Sequence, residues 1–353
     1  MKEKLGKYIS EYSIRDKGKG YPVYSVTNSR GFCQEFFGKI VASENTSNYK
    51  VVPKGCFAYN PSRINVGSVA CQDKEDYVSV SPIYVVFKVS PEINQDYLMY
   101  YLKSDYCMTY IKAYSRGAVR NNLKLSQLGD FEIPVPPLSE QERIVSELDL
   151  LSSIIEKKRE QLKELDNLAQ SIFYDMFGDP IENPKGWEVK CFNEVFNVTT
   201  GKLNANAMVA EGQYPFFTCS KEIFYIDKYA FDGEALLLAG NNATATYDVK
   251  YYNGKFNAYQ RTYVLTTKGS NYIYLKNALE DKLSILQRQS IGGMTKYLTL
   301  GILSQLSFTI PPLSLQQSFA SKIEAIERQK ELIKQSITEV ETLFNSRMDY
   351  YFT

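Results

Sequence analysis

The chain has 353 residues, which is about the length of two domains. Hydrophobic residues make up 44% of it and charged residues 23%, a balance typical of folded proteins that excludes wholesale disorder. There are 41 basic and 40 acidic side chains, so the net charge of +1 excludes both a strongly basic nucleic-acid tail and a strongly acidic tail.

Histidine is absent, which excludes Ser-His-Asp and Cys-His nucleophile pairs, histidine general bases and histidine-ligated zinc. The spacing of the six cysteines fits no C-x-x-C or zinc motif, so we expect free thiols in a reducing compartment. These cysteines are Cys33, Cys56, Cys71, Cys107, Cys191 and Cys219. The N-terminus is charged, and no apolar run approaches the roughly 18 residues of a membrane helix. We therefore expect a cytoplasmic protein without a signal peptide or membrane segment.

Short runs rich in Tyr, Val, Ile and Phe predict strands in two regions, 1–138 and 180–313. The clearest runs of the first region are 21–26, 77–80 and 83–87, and a helical stretch covers 94–115. The second region has runs at 235–239 and 261–265 and a helical stretch at 271–289. A long helical pattern follows each region. This order predicts an α+β fold, in which a mixed α/β globule and a long helix occur twice.

The sequence matches itself at an offset of 175 residues. Pro136-Pro137-Leu138-Ser139 aligns with Pro311-Pro312-Leu313-Ser314, and Gln141 aligns with Gln316. Upstream, Gly117, Leu123 and Leu125 align with Gly292, Leu298 and Leu300. This period is far longer than the 20–50 residues of solenoid repeats. It indicates a duplicated domain together with a duplicated helix.

Each Pro-Pro pair is followed by a predicted helix start. Ser139-x-x-Glu142 and Ser314-x-x-Gln317 have the spacing of a capping box, in which the hydroxyl caps the helix and the Glu or Gln reaches back. Proline cannot continue a helix backwards, so both starts are predicted to be sharp.

An apolar stripe with alternating steps of four and three residues then runs through about five heptads of each helix. Polar residues at Lys158, Lys330 and Arg347 interrupt the stripe and could set its register. The two helices, each about 36 residues or 54 Å long, are predicted to pair as an antiparallel coiled coil. Packing of each helix on its own domain is the alternative. The apolar stripe consists of Ile144, Leu148, Leu151, Ile155, Leu162, Leu165 and Ile172 in the first helix, and of Phe319, Ile323, Ile326, Ile333, Ile337, Val340 and Phe344 in the second.

These patterns divide the chain into a first domain at 1–138, a central helix at 139–179, a second domain at 180–313 and a C-terminal helix at 314–353. Their net charges are +5, −5, +2 and −1 in that order. Basic globules and acidic helices are expected if the globules face a polyanion. Ordinary scatter of charge along the chain explains the same numbers.

Catalytic and cofactor motifs are absent from the sequence. There is no G-x-x-x-x-G-K-[ST] loop and no G-x-G-x-x-G after a strand. The nearest approach to a methyltransferase motif, Asn60-Pro61-Ser62-Arg63, fails at its last two positions and is interpreted as a turn. The carboxylates of Asp73, Glu75 and Asp76 could bind a metal, but a solvated loop explains them better, so no metal site is predicted. The sequence indicates a binding protein.

The segment IPVPPLSEQERIV at 133–145, followed by a heptad helix, resembles the specificity subunit of type I restriction–modification systems. Its second copy, TIPPLSLQQSF at 309–319, resembles it too, and Pro184-Lys185-Gly186-Trp187 looks like the family's entry into a target-recognition domain. The first copy starts at Lys4-Leu5-Gly6-Lys7 without this Gly-Trp lead-in, so we expect a slightly short N-terminus.

The resemblance implies two target-recognition domains in tandem, each reading one half of a split double-stranded DNA site, with the paired helices spanning the unread spacer. It also implies two methyltransferase (modification) subunits that use S-adenosylmethionine, and restriction subunits that use ATP and Mg. The chain itself is expected to be non-catalytic, without cofactor or metal. Because the two globules differ in sequence, the half-sites should differ as well.

Base and phosphate contacts are expected from clusters of Arg, Lys, Asn, Gln and Thr. In the first domain the candidates lie on a turn between strands and in the segment SRGAVRNN at 115–122. In the second domain they lie on loops that follow predicted strands. The candidates are Asn60, Arg63, Asn65, Arg116, Arg120, Asn121, Asn122, Lys202, Asn241, Asn242, Thr244, Thr246, Arg261 and Lys296.

Three other interpretations stay open at this point. The chain could be the specificity subunit of a type IIB-like system, in which one partner carries both cleavage and methylation. It could be a silent or recombination-donor copy, or a coiled-coil scaffold that binds proteins and has no DNA role. A free-standing enzyme is the least supported, because histidine and cofactor motifs are absent.

Overall fold

The computed structural model describes residues 2–36, 39–40, 46–115 and 122–353, and the side chains of 35, 36, 39, 40 and 115 lie outside that description. The chain forms two compact units. Unit 1 comprises Met1–Arg159 and Gln335–Thr353, and unit 2 comprises Glu160–Lys334. Each unit therefore contains one globule and a part of both long helices. The domain bounds drawn along the chain, 1–138, 139–179, 180–313 and 314–353, stay a prediction.

Unit 1 is built from short strands and helices. Four of its strands form an antiparallel sheet in the order β2-β11-β8-β9, and β1–β12, β3–β4, β5–β6 and β7–β10 are antiparallel pairs. The strands are β1 (Lys2–Lys4), β2 (Ile9–Glu11), β3 (Ser25–Thr27), β4 (Gly31–Cys33), β5 (Glu35–Phe36), β6 (Lys39–Ile40), β7 (Lys50–Pro53), β8 (Phe57–Tyr59), β9 (Val69–Cys71), β10 (Tyr77–Val80), β11 (Val85–Val89) and β12 (Glu132–Pro134). The helices are α1 (Gln95–Lys103), α2 (Asp105–Ser115), α3 (Leu125–Gly129) and the first long helix, α4 (Leu138–Phe177).

Unit 2 repeats this plan with a larger sheet, in the order β14-β20-β17-β19-β15-β16. Within it only β15 and β19 run parallel, and β13–β22 and β18–β21 form separate antiparallel pairs. The strands are β13 (Glu188–Cys191), β14 (Phe196–Thr200), β15 (Tyr214–Phe217), β16 (Phe224–Ile226), β17 (Phe231–Ala239), β18 (Asn241–Asn242), β19 (Val249–Ala258), β20 (Thr262–Thr267), β21 (Lys296–Tyr297) and β22 (Ser307–Ile310). The helices are α5 (Phe192–Val195), α6 (Tyr272–Glu280), α7 (Leu283–Gln289), α8 (Leu300–Leu303) and the second long helix, α9 (Leu313–Phe352).

The α+β class and the two long helices are confirmed. Each predicted short helical stretch contains two consecutive helices, α1 and α2 in unit 1 and α6 and α7 in unit 2. Each long helix has 40 residues, or about 60 Å at 1.5 Å per residue, slightly longer than predicted. The predicted capping boxes are wrong. The helices begin one residue earlier, at Leu138 and Leu313, which leaves Ser139 and Ser314 inside the first turn rather than before it.

The helices α4 and α9 run antiparallel in unit 1. Glu147 of α4 accepts hydrogen bonds from Arg347 Nε and, at 2.6 Å, from the Tyr351 hydroxyl of α9. Further along α4, Arg159 pairs with Glu341 at 2.6 Å. As the residue numbers rise along α4, those of the bonded residues in α9 fall, so the two helices are antiparallel. The bonds from Arg347 and Tyr351 also lower the pKa of the Glu147 carboxyl.

Unit 2 shows the same direction in its part of the two helices. Lys330 of α9 bonds Asp166 of α4 at 2.7 Å, and the rings of Phe173 and Phe319 meet edge-to-face with centroids 5.6 Å apart. Phe177 packs between Phe319 and Tyr274 of α6. In both units, therefore, a globule is covered by the start of one long helix and the end of the other.

The predicted apolar stripe faces inward along its whole length, because each of its residues is buried or half-buried. Two of the predicted polar interruptions, Arg347 and Lys330, make the ion pairs described above, as expected of residues that set register. The stripe omits the aromatic end of each helix. Phe352, at the end of α9, is fully buried and packs on Tyr97 with ring centroids 5.1 Å apart, and Phe177 takes the equivalent place in unit 2.

A buried glutamine attaches each long helix to its globule. Gln141 is fully buried: its amide oxygen accepts from the backbone N–H of Asn94 at 2.8 Å, and its nitrogen donates to the carbonyls of Glu92 and Pro136. Gln316 repeats this in unit 2, between Asn271 N–H and the Pro311 carbonyl. Gln141 and Gln316, which align in the sequence repeat, thus connect each long helix to its globule.

We expect Gln141→Ala to destabilise unit 1 by about 2–4 kcal/mol, because it leaves two carbonyls and an N–H without partners in a buried site. Urea unfolding, followed by circular dichroism, measures this loss. Gln170→Ala is the matched control, since Gln170 is an exposed glutamine of the same helix. Equal unfolding midpoints for the two variants would contradict the role of Gln141 in connecting the helix to the globule.

Candidate nucleic-acid interface

The predicted candidates of unit 2 gather around the short strand pair β18–β21. The register places Asn241 opposite Tyr297 and Asn242 opposite Lys296. The strand end is closed by Leu298 N–H, which donates to the Gly240 carbonyl at 2.8 Å. Residues more than fifty positions apart in sequence are therefore neighbours at one edge of the unit.

The loop that follows β18 is held by its own polar side chains. The Asn242 amide oxygen accepts from the backbone N–H and the hydroxyl of Thr244, at 2.8 and 2.7 Å, and that hydroxyl lies 2.9 Å from the Thr246 hydroxyl. Both threonines are exposed. Asn241 differs, because its amide oxygen is buried without a hydrogen-bond partner among the described residues. Of the predicted residues in this loop, Thr244 and Thr246 are thus exposed and Asn242 is half-buried.

Arg261 reaches the same place from the turn before β20. Its guanidinium lies over the Tyr297 ring at 4.9 Å, and its carbonyl accepts from Gly240 N–H at 2.8 Å. Glycine is required at 240, because a Cβ there would lie 2.3 Å from the Arg261 carbonyl oxygen. Close contact between backbone segments therefore brings Arg261 next to the β18–β21 pair. The predicted DNA-contacting residues of unit 2 are called the unit 2 set below, and those of unit 1 the unit 1 set.

Lys202 lies on a separate segment that packs against the start of this turn. Gly201 contacts the Ala258 backbone so closely that a Cβ would lie 1.7 Å from its carbonyl oxygen. Leu203 bridges to Tyr259, and the exposed Lys202 lies between these two contacts. Lys202 therefore sits beside the turn that carries Arg261.

In unit 1 the candidates lie on the turn after β8. Arg63 N–H donates to the Asn60 carbonyl, and the Asn60 amide oxygen accepts from Ser62 N–H, both at 3.0 Å. The Asn60–Arg63 segment is thus a turn, as predicted. The Ser62 hydroxyl donates to the Asn122 amide oxygen at 2.6 Å, and Asn65 lies half-buried in the next turn. Arg63 is the exposed cation of this group.

The two sets occupy equivalent places. The Tyr59 hydroxyl donates to the Leu123 carbonyl at 3.0 Å, and the Tyr263 hydroxyl donates to the Leu298 carbonyl at 2.9 Å. Leu123 and Leu298 are the aligned residues of the sequence repeat, and their N–H groups donate to the Pro61 carbonyl just after β8 and to the Gly240 carbonyl just after β17. The predicted Arg116, Arg120 and Asn121, which precede Leu123, lie outside the described residues.

Sequence reasoning missed the hairpin β3–β4 of unit 1. Its turn carries Asn28, Ser29 and Arg30, which line a cavity of about 260 Å³ together with Arg63. The Thr27 hydroxyl accepts from Arg30 N–H at 3.1 Å and shapes the turn. The signal was present, since Thr-Asn-Ser-Arg-Gly between two apolar runs is a typical turn sequence. The cavity brings a second arginine to the unit 1 set.

Acidic residues are absent from the segments that build both sets. Although 40 of 353 residues are acidic, unit 2 has none in 195–210, 235–247, 249–279 and 282–323. Unit 1 has none in 17–34, 45–72 and 106–129. Segments rich in amides and cations and free of acidic residues suit contact with a polyanion. This absence is readable in the sequence alone.

The cluster considered for metal binding is a turn. Asp73 pairs with Lys74 at 3.1 Å, and Glu75 accepts from the Tyr24 hydroxyl at 3.3 Å. Across the described residues, no group of three acidic or cysteine side chains is arranged to hold a metal ion. In the same part of the chain, no helix has the length and apolarity needed to cross a membrane.

Comparison with known families decides the class of the chain. The model of the type I restriction modification DNA specificity domain matches residues 3–166 and 184–342. The chain belongs to this specificity family. The two matches correspond to the two copies of the sequence repeat, and each extends into a long helix.

Two curated specificity-family relatives cover part of the chain. The type I restriction enzyme EcoDI specificity subunit of Escherichia coli is 35% identical over 157 residues, which are 44% of this chain and 35% of that protein. The MjaIX specificity subunit of Methanocaldococcus jannaschii is 30% identical over 185 residues, covering 47% of this chain and 41% of that protein. Each match therefore spans less than half of either protein.

Two solved structures share the fold over the whole chain. One comes from work on complex assembly and conformational transition of the type I R-M system, with a TM-score of 0.62, 19% identity and coverage of 99% of this chain and 97% of that one. The other is the S subunit of a type I restriction–modification system from M. genitalium, with a TM-score of 0.60, 16% identity and coverage of 100% and 96%. The specificity-family fold, with its two globules and long helices, is thus shared.

Proposed function

We propose that the chain is the DNA sequence-specificity subunit of a type I restriction–modification complex. The observation that carries this proposal is the equivalent set of loops in both units, where Asn, Thr, Lys and Arg side chains gather on segments without acidic residues. Amide and guanidinium groups are the usual readers of base edges, and lysines and hydroxyls the usual contacts to phosphate. Family membership and the shared fold support the same conclusion.

Each unit would read one half of a bipartite DNA site. Unit 1 offers Arg30 and Arg63 around a cavity, whereas unit 2 offers Asn242, Arg261 and Lys296 around a strand pair. Because different donors select different bases, the two half-sites should differ and the whole site should be asymmetric. The paired helices α4 and α9 would set the spacing between the half-sites.

Catalysis would reside in partner subunits. Two methyltransferase subunits would dock on this chain and methylate adenine with S-adenosylmethionine, and restriction subunits would add ATP- and Mg-dependent cleavage. Methylation inside a duplex requires the base to be flipped out, which is a task for the methyltransferase partner. The chain itself would contribute the choice of sequence and bind no cofactor.

We expect an asymmetric, bipartite N6-methyladenine motif to appear when the chain is co-expressed with its neighbouring methyltransferase subunit in a methylation-free host. Methylation mapping across the genome gives the motif directly. A chain with Arg261→Gln and Lys296→Gln should relax only the half of the motif read by unit 2, because unit 1 is unchanged. A complex that co-purifies without any methylation would instead favour a protein-binding scaffold. A neighbouring gene that fuses cleavage and methylation would indicate the type IIB-like arrangement.

A further inference from the structure

We infer that Met294 of unit 2 is an apolar wedge that enters the base stack of the bound DNA, an inference that rests on the proposed DNA-binding function. Met294 is 95% exposed, the highest value among the large apolar side chains that the structure describes. It lies in the segment Gly292-Gly293-Met294-Thr295 between α7 and β21. No other part of the function proposed above uses it.

The loop that carries Met294 is closed and shaped by hydrogen bonds. Ile291 and Tyr297 exchange two backbone hydrogen bonds, of 3.1 and 2.8 Å, across its base. The Lys296 ammonium donates to the Gly292 carbonyl at 2.7 Å, across the loop. Gly292 has a φ of 115°, and a Cβ there would lie 2.3 Å from the Thr295 carbonyl oxygen. Met294 is therefore held at the apex of a defined loop.

The loop is joined directly to the unit 2 donor set. Lys296 and Tyr297 at its base pair with Asn242 and Asn241 of β18, and the Arg261 guanidinium covers Tyr297. Residues 282–323, which include the whole loop, contain no acidic side chain. A duplex that contacts Asn242, Lys296 and Arg261 would therefore meet Met294 beside them.

An apolar tip on a loop with cations at its base has a specific use on DNA. Methionine and similar side chains inserted between base steps unstack them and kink the duplex, while the neighbouring cations hold the phosphates. A protein partner would be expected to offer carboxylates to Lys296 and Arg261, and DNA supplies phosphates instead. The wedge would make the second half-site sensitive to how easily its base steps unstack, in addition to direct base contacts.

The test uses the full-length chain and a library of duplexes with a random core. Duplexes retained by the unaltered protein are selected and then treated with permanganate, which oxidises unstacked thymines, at saturating protein. We expect hyper-reactive thymines at one position of the selected site. Met294→Ala should lose most of this reactivity, by about five-fold or more. Met294→Leu should keep it, because leucine is an apolar side chain of similar size. Met208→Ala is the control, because Met208 is another exposed methionine of unit 2.

The outcomes separate the wedge from the proposed function. If selected duplexes show the same permanganate pattern with Met294→Ala as with the unaltered chain, the wedge is wrong and DNA recognition stands. If the two Met294 variants lose reactivity equally, the apolar side chain is not the cause and the wedge is again wrong. If the unaltered chain enriches no sequence from the library either alone or co-purified with its neighbouring methyltransferase subunit, the proposed function fails and the wedge fails with it.

Discussion

Leu148→Asp should unfold unit 1. Leu148 is fully buried where α4 packs in the unit 1 core, together with Met348 and Phe352 of α9. Truncating a buried leucine costs about 2–5 kcal/mol, and an unpaired buried carboxylate adds several more. The sum approaches the total stability of a domain, about 5–15 kcal/mol. Urea unfolding combined with limited proteolysis, with cleavage sites mapped by mass spectrometry, would show unit 1 peptides released first.

The same helix supplies the control for this experiment. Leu150 lies two residues further along α4 and is 60% exposed, so Leu150→Asp should leave the unfolding midpoint nearly unchanged. Leu165→Asp should instead destabilise unit 2, and by less than Leu148→Asp destabilises unit 1, because Leu165 is half-buried and packs against the unit 2 core. If Leu148→Asp and Leu150→Asp unfold at the same urea concentration, the inward face of α4 has been assigned incorrectly.

Arg30→Gln combined with Arg63→Gln should weaken DNA binding and flatten its dependence on salt. Both side chains line the unit 1 cavity, so both would lie against the duplex in the proposed function. Each phosphate contact contributes about 0.9 to the slope of log affinity against log salt. Losing two such contacts should make the slope less negative by up to about 1.8. Filter binding or fluorescence anisotropy on one duplex at several salt concentrations measures this slope.

A charge-matched control distinguishes a site from a general effect of charge. Lys157→Gln with Lys163→Gln removes the same charge from exposed positions of α4. This control should leave the slope close to that of the unaltered chain. If both double variants shift the slope equally, Arg30 and Arg63 would not form a local phosphate site.

The long helices were predictable because their apolar stripe is a local pattern repeated over many turns. The first residue of each long helix was not predictable. The serine two residues after the Pro-Pro pair has the spacing of a helix cap, yet the helix begins one residue before it. The actual attachment uses Gln141 and Gln316, which bond to backbone groups far away in sequence, such as Asn94 and Asn271. A long-range side-chain bond of this kind has no signature in local spacing.

The candidate site was predictable in composition and only partly in geometry. The hydrogen-bonding side chains of Asn242, Thr244 and Lys296 make them candidates in the sequence. The register of β18 with β21 places Asn242 opposite Lys296, and Thr244 bonds to Asn242. Arg30 was missed because it meets Arg63 only across a hairpin whose strands have three residues each. Asn241 was chosen with its neighbour, but its amide oxygen points inward.

The division of the two long helices has a consequence for the order of events on the ribosome. Unit 2 is one continuous stretch, Glu160–Lys334, so all of its residues have been synthesised while unit 1 still lacks Gln335–Thr353. Phe352, whose ring packs on Tyr97 of the first globule, belongs to this late segment. Domains usually fold from the N-terminus during synthesis. Here the globule that is made first is completed last, because its core includes Phe352 of α9.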